Sequence, residues 1–439
     1  MKAARHAIPL AALLLATTAI GGANATTVTI ATVNNPDMIV MQELSKIFEA
    51  QNPDITLEWT VLEENVLRQR VTTDITTNGG QFDIVTVGAF EVPQWAERGW
   101  IEPMTNLPAD YDEADILPAI RGVLSFNDTL YGLPFYGESS MMMYRKDLFD
   151  KAGLTMPDQP TWEQVQGFAK AITDPANGVF GICLRGKPGW GENMAFLTTL
   201  ANAFGGRWFD LDWNPQLESE PWKNAVSFYV DLMQNYGPPG AASNGFNENL
   251  TLFASGKCGM WVDATVAAGF VSDPSQSDVS GDVAFASAPR AVTDKGANWL
   301  WSWSLAIPSS SDAKDAALEF VTWATSKPYI ELVAANKSWG VVPPGTRTST
   351  YENPNYQAAA PFASRVLASI NSADPNDPVS QPVPYVGVQY VAIPQFQGIG
   401  NTAGQFISAA LVGNSTVDEA LAQAESATER TVRRAGLLK

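Results

Sequence analysis

Residues 28–87 alternate between two hydrophobic periods, and that alternation restricts the fold more than any other feature. Val28–Val33 (VTIATV) has the apolar character of a buried strand, and Asp37–Gln51 carries Met38, Met41, Leu44, Ile47 and Phe48 on one helical side. Asn52-Pro53-Asp54 ends that helix, Ile55–Val61 alternates as a strand, Asn65–Thr77 is helical up to Gly79-Gly80, and Phe82–Val87 is a third strand. The order is β-α-β-α-β, and right-handed crossovers turn it into a parallel sheet. Ligands of such sheets sit beyond the carboxyl ends of the strands. The residues falling there are Asn34 and Asn35, then Glu63 and Glu64, then Phe90 and Glu91. This polar rim with one aromatic suits hydroxyl groups, although each position reads equally well as loop surface.

Ahead of this unit, Lys2 and Arg5 precede an apolar run at 7–20, and Ala23-Asn24-Ala25 is an A-x-A cleavage pattern. The reading is a signal peptide, residues 1–25, with export to a Gram-negative periplasm. The run is about 14 residues, short of the ~20 a spanning helix needs, so no membrane anchor is expected. Cleavage removes Lys2, Arg5 and His6, leaving 414 of 439 residues and taking the net charge from −19 to −21. That length suits two lobes.

The charge argues against a nucleic-acid partner, which would require a basic footprint. A mature chain without histidine has no Ser-His-Asp or Cys-His catalysis and no His-ligated zinc. No cofactor or metal is expected. Cys183 and Cys258 either bridge or pack as separate buried thiols; spacing does not decide between them. Gly181-x4-Gly186-Lys187 continues with Pro188 where a phosphate loop needs Ser or Thr. Asp210-x-Asp212-x-Asn214 continues with Pro215 where a calcium loop needs Gly. A paired-carboxylate hydrolase drawing on Glu63, Glu64, Glu91, Glu138 or Asp263 stays open, because the sequence cannot place two carboxylates across one bond.

Further along, Leu130–Phe135, Met141–Arg145, Val179–Leu184, Cys258–Val262 and Trp299–Ile307 read as strands. Thr161 and Gln164 have capping-box spacing, and Asp312 is placed to cap a helix over 312–326. Trp299, Trp301 and Trp303 share one strand face by period two. They form either a core wall or an apolar wall against the C–H faces of a ligand. Arg185, Lys187 and Trp190 follow a strand in a Gly/Pro-rich loop, where binding groups often sit.

The runs FDIVTVGAFEVPQWAERGWIEPM, LYGLPFYGESSMMMYRKDLFDKAGLTMP with PTWEQV, LFASGKCGMWVD and WSWSLAIPSSS, followed by ATSKPYIELVAANKSWGVVPP, resemble extracellular solute-binding proteins that feed ABC sugar importers. GICLRGKPGWGEN, GKCGMWVDATVAA, WLWSWSLAIP and PYVGVQYVAIPQFQGIG resemble the sorbitol/mannitol-binding branch most. The resemblance covers nearly the whole mature chain. It implies a two-lobe α/β periplasmic-binding fold, maltose-binding-protein-like, with a ligand cleft between lobes. The expected N-terminal lobe is 26–136 plus 305–342, and the C-terminal lobe 137–304 plus 343–439, with a crossing near Trp339-Gly340. It also implies a non-enzymatic receptor that closes on a linear polyol (sorbitol, mannitol or arabitol) and delivers it to permease subunits; a cyclic mono- or disaccharide is the alternative, and a monomer is the simplest expectation. The expected ligand-binding residues are Asn34, Glu64, Phe90, Tyr136, Glu138, Arg185, Lys187, Trp190, Asp263, Trp299, Trp301, Trp303, Trp339, Gln389 and Tyr390, with Phe396 a further candidate.

Overall fold

The computed structural model describes residues 25–438. The signal peptide expected over residues 1–25 lies, apart from Ala25, outside the described residues. Ten strands occur among the described residues: β1 Thr26–Val33, β2 Ile55–Leu62, β3 Ile84–Gly88, β4 Ser125–Phe126, β5 Thr129–Leu130, β6 Leu133–Glu138, β7 Ser140–Arg145, β8 Met260–Ala264, β9 Val283–Ser287 and β10 Trp301–Ala306.

The first sheet has the order β2-β1-β3-β10-β6. Strands β1, β2 and β3 are parallel, as the alternation predicts, with Val33 opposite Leu62 at their carboxyl ends. The helix Pro36–Gln51 starts where Asn35 Oδ1 accepts from the Met38 N–H at 2.9 Å, and it buries Met38, Met41, Leu44 and Phe48. Glu63 caps the helix Glu64–Thr77 by accepting from the N–H groups of Asn65 and Val66. Both caps sit at the same end of the sheet. Strand β10 runs antiparallel between β3 and β6, pairing Trp303 with Gly88 and Tyr136, and Trp301 with Glu138. That reversal brings the start of β10 to the rim formed by the ends of β1 and β2. The Trp301 ring packs against Gly88, leaving no room for a Cβ there.

The chain passes from the first sheet to the second through Ser139 alone, whose N–H donates to Thr265 Oγ1. The second sheet has the order β8-β7-β9 and is antiparallel. Met141, Met142 and Met143 are buried in it. The two sheets are the cores of two lobes. The helices Asn193–Ala203, Glu220–Tyr236, Phe246–Ala254, Phe396–Leu411 and Val417–Arg434 belong to the second. Cys183 and Cys258 are disulfide-bonded with Cα atoms 5.8 Å apart.

Several boundaries differ from the sequence reading. The first sheet takes in 137–138 and 301–304, which the expected lobe limits assigned to the second lobe. Residues 344–349 also bond to the first lobe: Leu117 N–H donates to Thr346 O, Gly137 N–H to Pro344 O, and Ser349 Oγ to Asp115. The run 179–184 forms only isolated bridges, Val179 with Asp174, Phe180 with Cys258 and Cys183 with Trp261. Its apolar pattern reflects burial rather than a strand. The Thr161–Gln164 capping box is present. Asp312 does not cap the helix Lys314–Ala324; Ser311 Oγ accepts from the Ala313 N–H instead.

Candidate functional site

The carboxyl ends of β1 and β2, the start of β10, the end of β6 and the loop 185–192 converge on one cavity of about 190 Å³. Drug-sized ligands usually occupy ~300–1,000 Å³, so this cavity fits a small solute. Asn34, Asn35, Glu63, Glu64, Tyr136, Glu138, Arg185, Lys187, Trp190, Trp299, Trp301, Trp303 and Gln389 line it. The other residues singled out from sequence stand off the wall. Phe90 and Tyr390 pack behind Trp190, with ring centroids 4.8 and 6.2 Å from it, and Phe396 backs the same ring. Trp339 lies half-buried in the turn Trp339–Val341, away from the cavity. Asp263 is fully buried beneath Arg185. Its position at the end of β8 is right for a site residue, but its oxygens are taken up by protein donors.

That arrangement fixes the guanidinium. Arg185 Nε donates to Asp263 Oδ2 at 2.9 Å and Nη2 to Oδ1 at 2.6 Å, while Nη1 donates to Gly191 O at 2.8 Å. Asp263 also accepts from Trp261 Nε1 and its neighbour's backbone N–H. Burial alone would lower the Arg185 pKa, and the Asp263 carboxylate more than reverses this, so the guanidinium stays charged. A two-point fork of this kind is rigid as well as strong.

Glu138 and Glu192 are buried, and one carboxylate oxygen of each accepts no hydrogen bond from the protein. Burial holds the Glu138 carboxyl well above its usual range; Arg185 opposes this, and Asp263, Glu64 and Asp37 reinforce it. Glu192 is pushed up to about 8, by burial first and then by Glu64. The Nε1 groups of Trp190 and Trp299 are likewise buried without an acceptor. Gln389 is clamped to Leu300, donating from Nε2 to its carbonyl at 2.9 Å.

Arg68, absent from the sequence reading, completes the aromatic wall. Its guanidinium carbon lies 4.1 Å from the Trp190 ring centre, 4.6 Å from Trp303 and 5.0 Å from Trp301. Glu64 and Glu91 hold it there. Glu64 and Arg68 are four residues apart on one helix, so the i,i+4 rule contained this signal once Glu64 had been picked. Glu192, Phe246, Asn247 and Glu248 also line the cavity and gave no local signal. They arrive through a loop and a helix start that only the tertiary fold brings to the cleft.

Three contacts join the two rims. Lys187 Nζ lies 2.7 Å from Glu63 Oε1, Asn65 Nδ2 donates to Pro188 O at 3.2 Å, and Asn247 Nδ2 donates to Asn34 O at 2.8 Å. The lobes are therefore in contact across the mouth. Among the described residues no His/Cys/Asp/Glu group could hold a metal, and no helix is long and apolar enough to cross a membrane.

Known proteins share this architecture. Residues 35–331 match the family of bacterial extracellular solute-binding proteins. The mannitol-binding protein of Pseudomonas aeruginosa is 60% identical over 94% of this chain and 95% of its own. The crystal structure of an ABC transporter solute-binding protein from Agrobacterium vitis S4 with bound D-mannitol is 58% identical. It superposes with a TM-score of 0.93 over 93% of this chain and 99% of its own. A ribitol complex from Agrobacterium radiobacter K84 is 25% identical, with a TM-score of 0.82 over 93% and 99%. With the matched family spanning strands of both sheets and the cleft between them, this chain belongs to the bacterial extracellular solute-binding proteins.

Proposed function

We propose that this chain is the solute-capturing component of an ABC importer and that it takes a linear polyol, D-mannitol foremost, between its lobes. The observation that carries this reading is the pairing of a tryptophan wall with buried, unpartnered oxygens on Glu138 and Glu192 in a small cavity. Each hydroxyl of an acyclic polyol both donates and accepts. The carboxylates take its protons, Arg185 and the indole N–H groups supply protons to its oxygens, and the indole faces cover its C–H backbone. Leaving any one of these buried groups unpaired costs ~1–3 kcal/mol, which gives the site its selectivity. The mannitol-bound and ribitol-bound relatives support the same ligand class.

In this reading the lobes divide as 26–138 with 301–349, and 139–300 with 350–438. They close by a hinge, and the polyol favours the closed form. The ligand leaves chemically unchanged, and the closed monomer is what membrane permease subunits recognise. The leader would be removed after Ala25, placing the mature protein in the periplasm.

Thermal unfolding of the mature protein with mannitol, sorbitol, arabitol and ribitol beside glucose and maltose tests this. Ligand at ~1,000 times Kd adds ~4 kcal/mol to the bound state, so the polyols should raise Tm and the cyclic sugars should not. A shift with cyclic sugars alone would replace the ligand class.

Lys187→Ala probes the rim. A partly exposed ion pair contributes ~0.2–1 kcal/mol, so mannitol should leave the variant ~2–5-fold faster in stopped-flow tryptophan fluorescence. An unchanged off-rate would mean that the Lys187–Glu63 pair does not hold the mouth shut.

A further inference from the structure

We propose that the cleft also accepts amino-alditols, polyols in which one hydroxyl is replaced by an ammonium, and rejects polyol acids. The proposal rests on the polyol reading of the cavity. Five carboxylates line it (Glu63, Glu64, Glu138, Glu192 and Glu248) against three cations. Every cation is already paired with carboxylates: Arg68 with Glu64 and Glu91, Arg185 with Asp263 and, at 3.6 Å, Glu192, and Lys187 with Glu63 and, at 3.7 Å, Glu192. Two further carboxylates, Glu91 and Asp263, therefore stand directly behind the wall.

An aldonate or a phosphorylated polyol would bring its charge into this field with no cation whose charge is not already balanced by a carboxylate. Its oxygens would instead face the unpartnered oxygens of Glu138 and Glu192. An ammonium meets the opposite situation. Exchanging one hydroxyl for an amine replaces a single heavy atom, so the fit to the cavity is kept. Two of its N–H donors can then serve the two carboxylate oxygens that accept no hydrogen bond from the protein.

The neighbours of each carboxylate agree with this. The charge of Arg185 favours an ionised Glu138, and those of Asp263, Glu64 and Asp37 oppose it. Glu192 faces Glu64 and Glu63 against Arg185 and Lys187. Repulsion among these carboxylates helps raise both groups above the ordinary carboxylate range, and a ligand cation beside them favours the ionised form, which is the form that accepts its N–H donors.

The test is calorimetric titration of the full mature chain at pH 7 with D-mannitol, 1-amino-1-deoxy-D-mannitol and D-mannonate, which share one carbon skeleton. The amino compound should bind within ~threefold of mannitol or tighter, and mannonate at least ~100-fold more weakly. Glu192→Gln and Glu138→Gln, each checked for an unaltered fold by Tm, should lower the affinity for the amino compound relative to mannitol by ~tenfold. Mannitol binding with the amino compound more than tenfold weaker, or with mannonate bound comparably, would overturn the proposal while leaving the polyol reading intact. An unchanged ratio in both variants would also overturn it. If mannitol itself fails to bind, the polyol reading falls and this proposal falls with it.

Discussion

Asp263→Ala is expected to destabilise the unliganded protein by ~3–5 kcal/mol, because it leaves a buried guanidinium without its carboxylate. Arg185 is 5% exposed and Asp263 is fully enclosed, so water cannot replace the lost acceptor without opening the second lobe. The substitution also strands Trp261 Nε1, which donates to Asp263 at 3.0 Å. At ~2 cal/mol/K of unfolding entropy per residue, a chain of this length should melt ~5 °C lower. The effect on binding is separable. Once the fork no longer holds Nε and Nη2, Arg185 can turn toward Glu192, already 3.6 Å away. Mannitol affinity should then fall ~30-fold or more, the ~2 kcal/mol typical of truncating a buried charge pair. Asp263→Asn keeps the shape but offers one acceptor oxygen instead of two, so it should lie between wild type and alanine in both measurements. A variant that melts with the wild type and binds mannitol normally would remove Asp263 as the positioning residue of Arg185.

This pair illustrates what the sequence conveys and what it withholds. Arg185 and Asp263 could each be chosen from position, one after an apolar run and the other at a strand end. Their 78-residue separation hid the fact that they bind each other. A carboxylate meant to accept a ligand hydroxyl and one meant to aim an arginine look alike in a linear chain. The β-α-β-α-β unit was legible because its periods are local and its crossovers have one hand. β10 was legible as an apolar run, but its reversal between β3 and β6 depends on sheet edges formed by distant segments. That reversal is why Trp301 and Trp303 meet Arg68. Phe90 and Tyr390 are expected from the sequence to bind ligand, and in the structure they pack against Trp190 off the cavity wall. Distinguishing a wall from its backing requires knowing which side of a ring faces the cavity, and periodicity does not encode that for residues in loops. Glu192 and Asn247 lie in irregular backbone and at a helix start, where no pattern marks an inward-facing side chain.

The second large effect concerns the bridge that joins the same two segments. Cys183 lies two residues before Arg185 and Cys258 five before Asp263, and their bond closes a loop with a sequence separation of 75. Loop-closure entropy for that length amounts to ~4 kcal/mol. The segment contains the helices Asn193–Ala203, Glu220–Tyr236 and Phe246–Ala254, and residual order among them in the unfolded chain lowers the figure. Cys183→Ala/Cys258→Ala should therefore lose ~2–4 kcal/mol in denaturant unfolding. Alanine is the better replacement, since both sulfurs are fully buried and a serine hydroxyl would need a partner there. Binding should respond differently. The paired segments are also tied by backbone bonds: Phe180 N–H to Lys257 O at 2.8 Å, Gly259 N–H to Phe180 O at 2.8 Å, and Cys183 N–H to Met260 O at 2.9 Å. The Arg185–Asp263 fork then fastens their far ends. With the native geometry held by these contacts, the bridge acts chiefly on the unfolded chain, and mannitol affinity in the double variant should stay within ~threefold of wild type. Calorimetry on the folded variant decides the matter. An affinity loss as large as that of Asp263→Ala would mean that the disulfide, and not the backbone ladder beside it, sets where the guanidinium points.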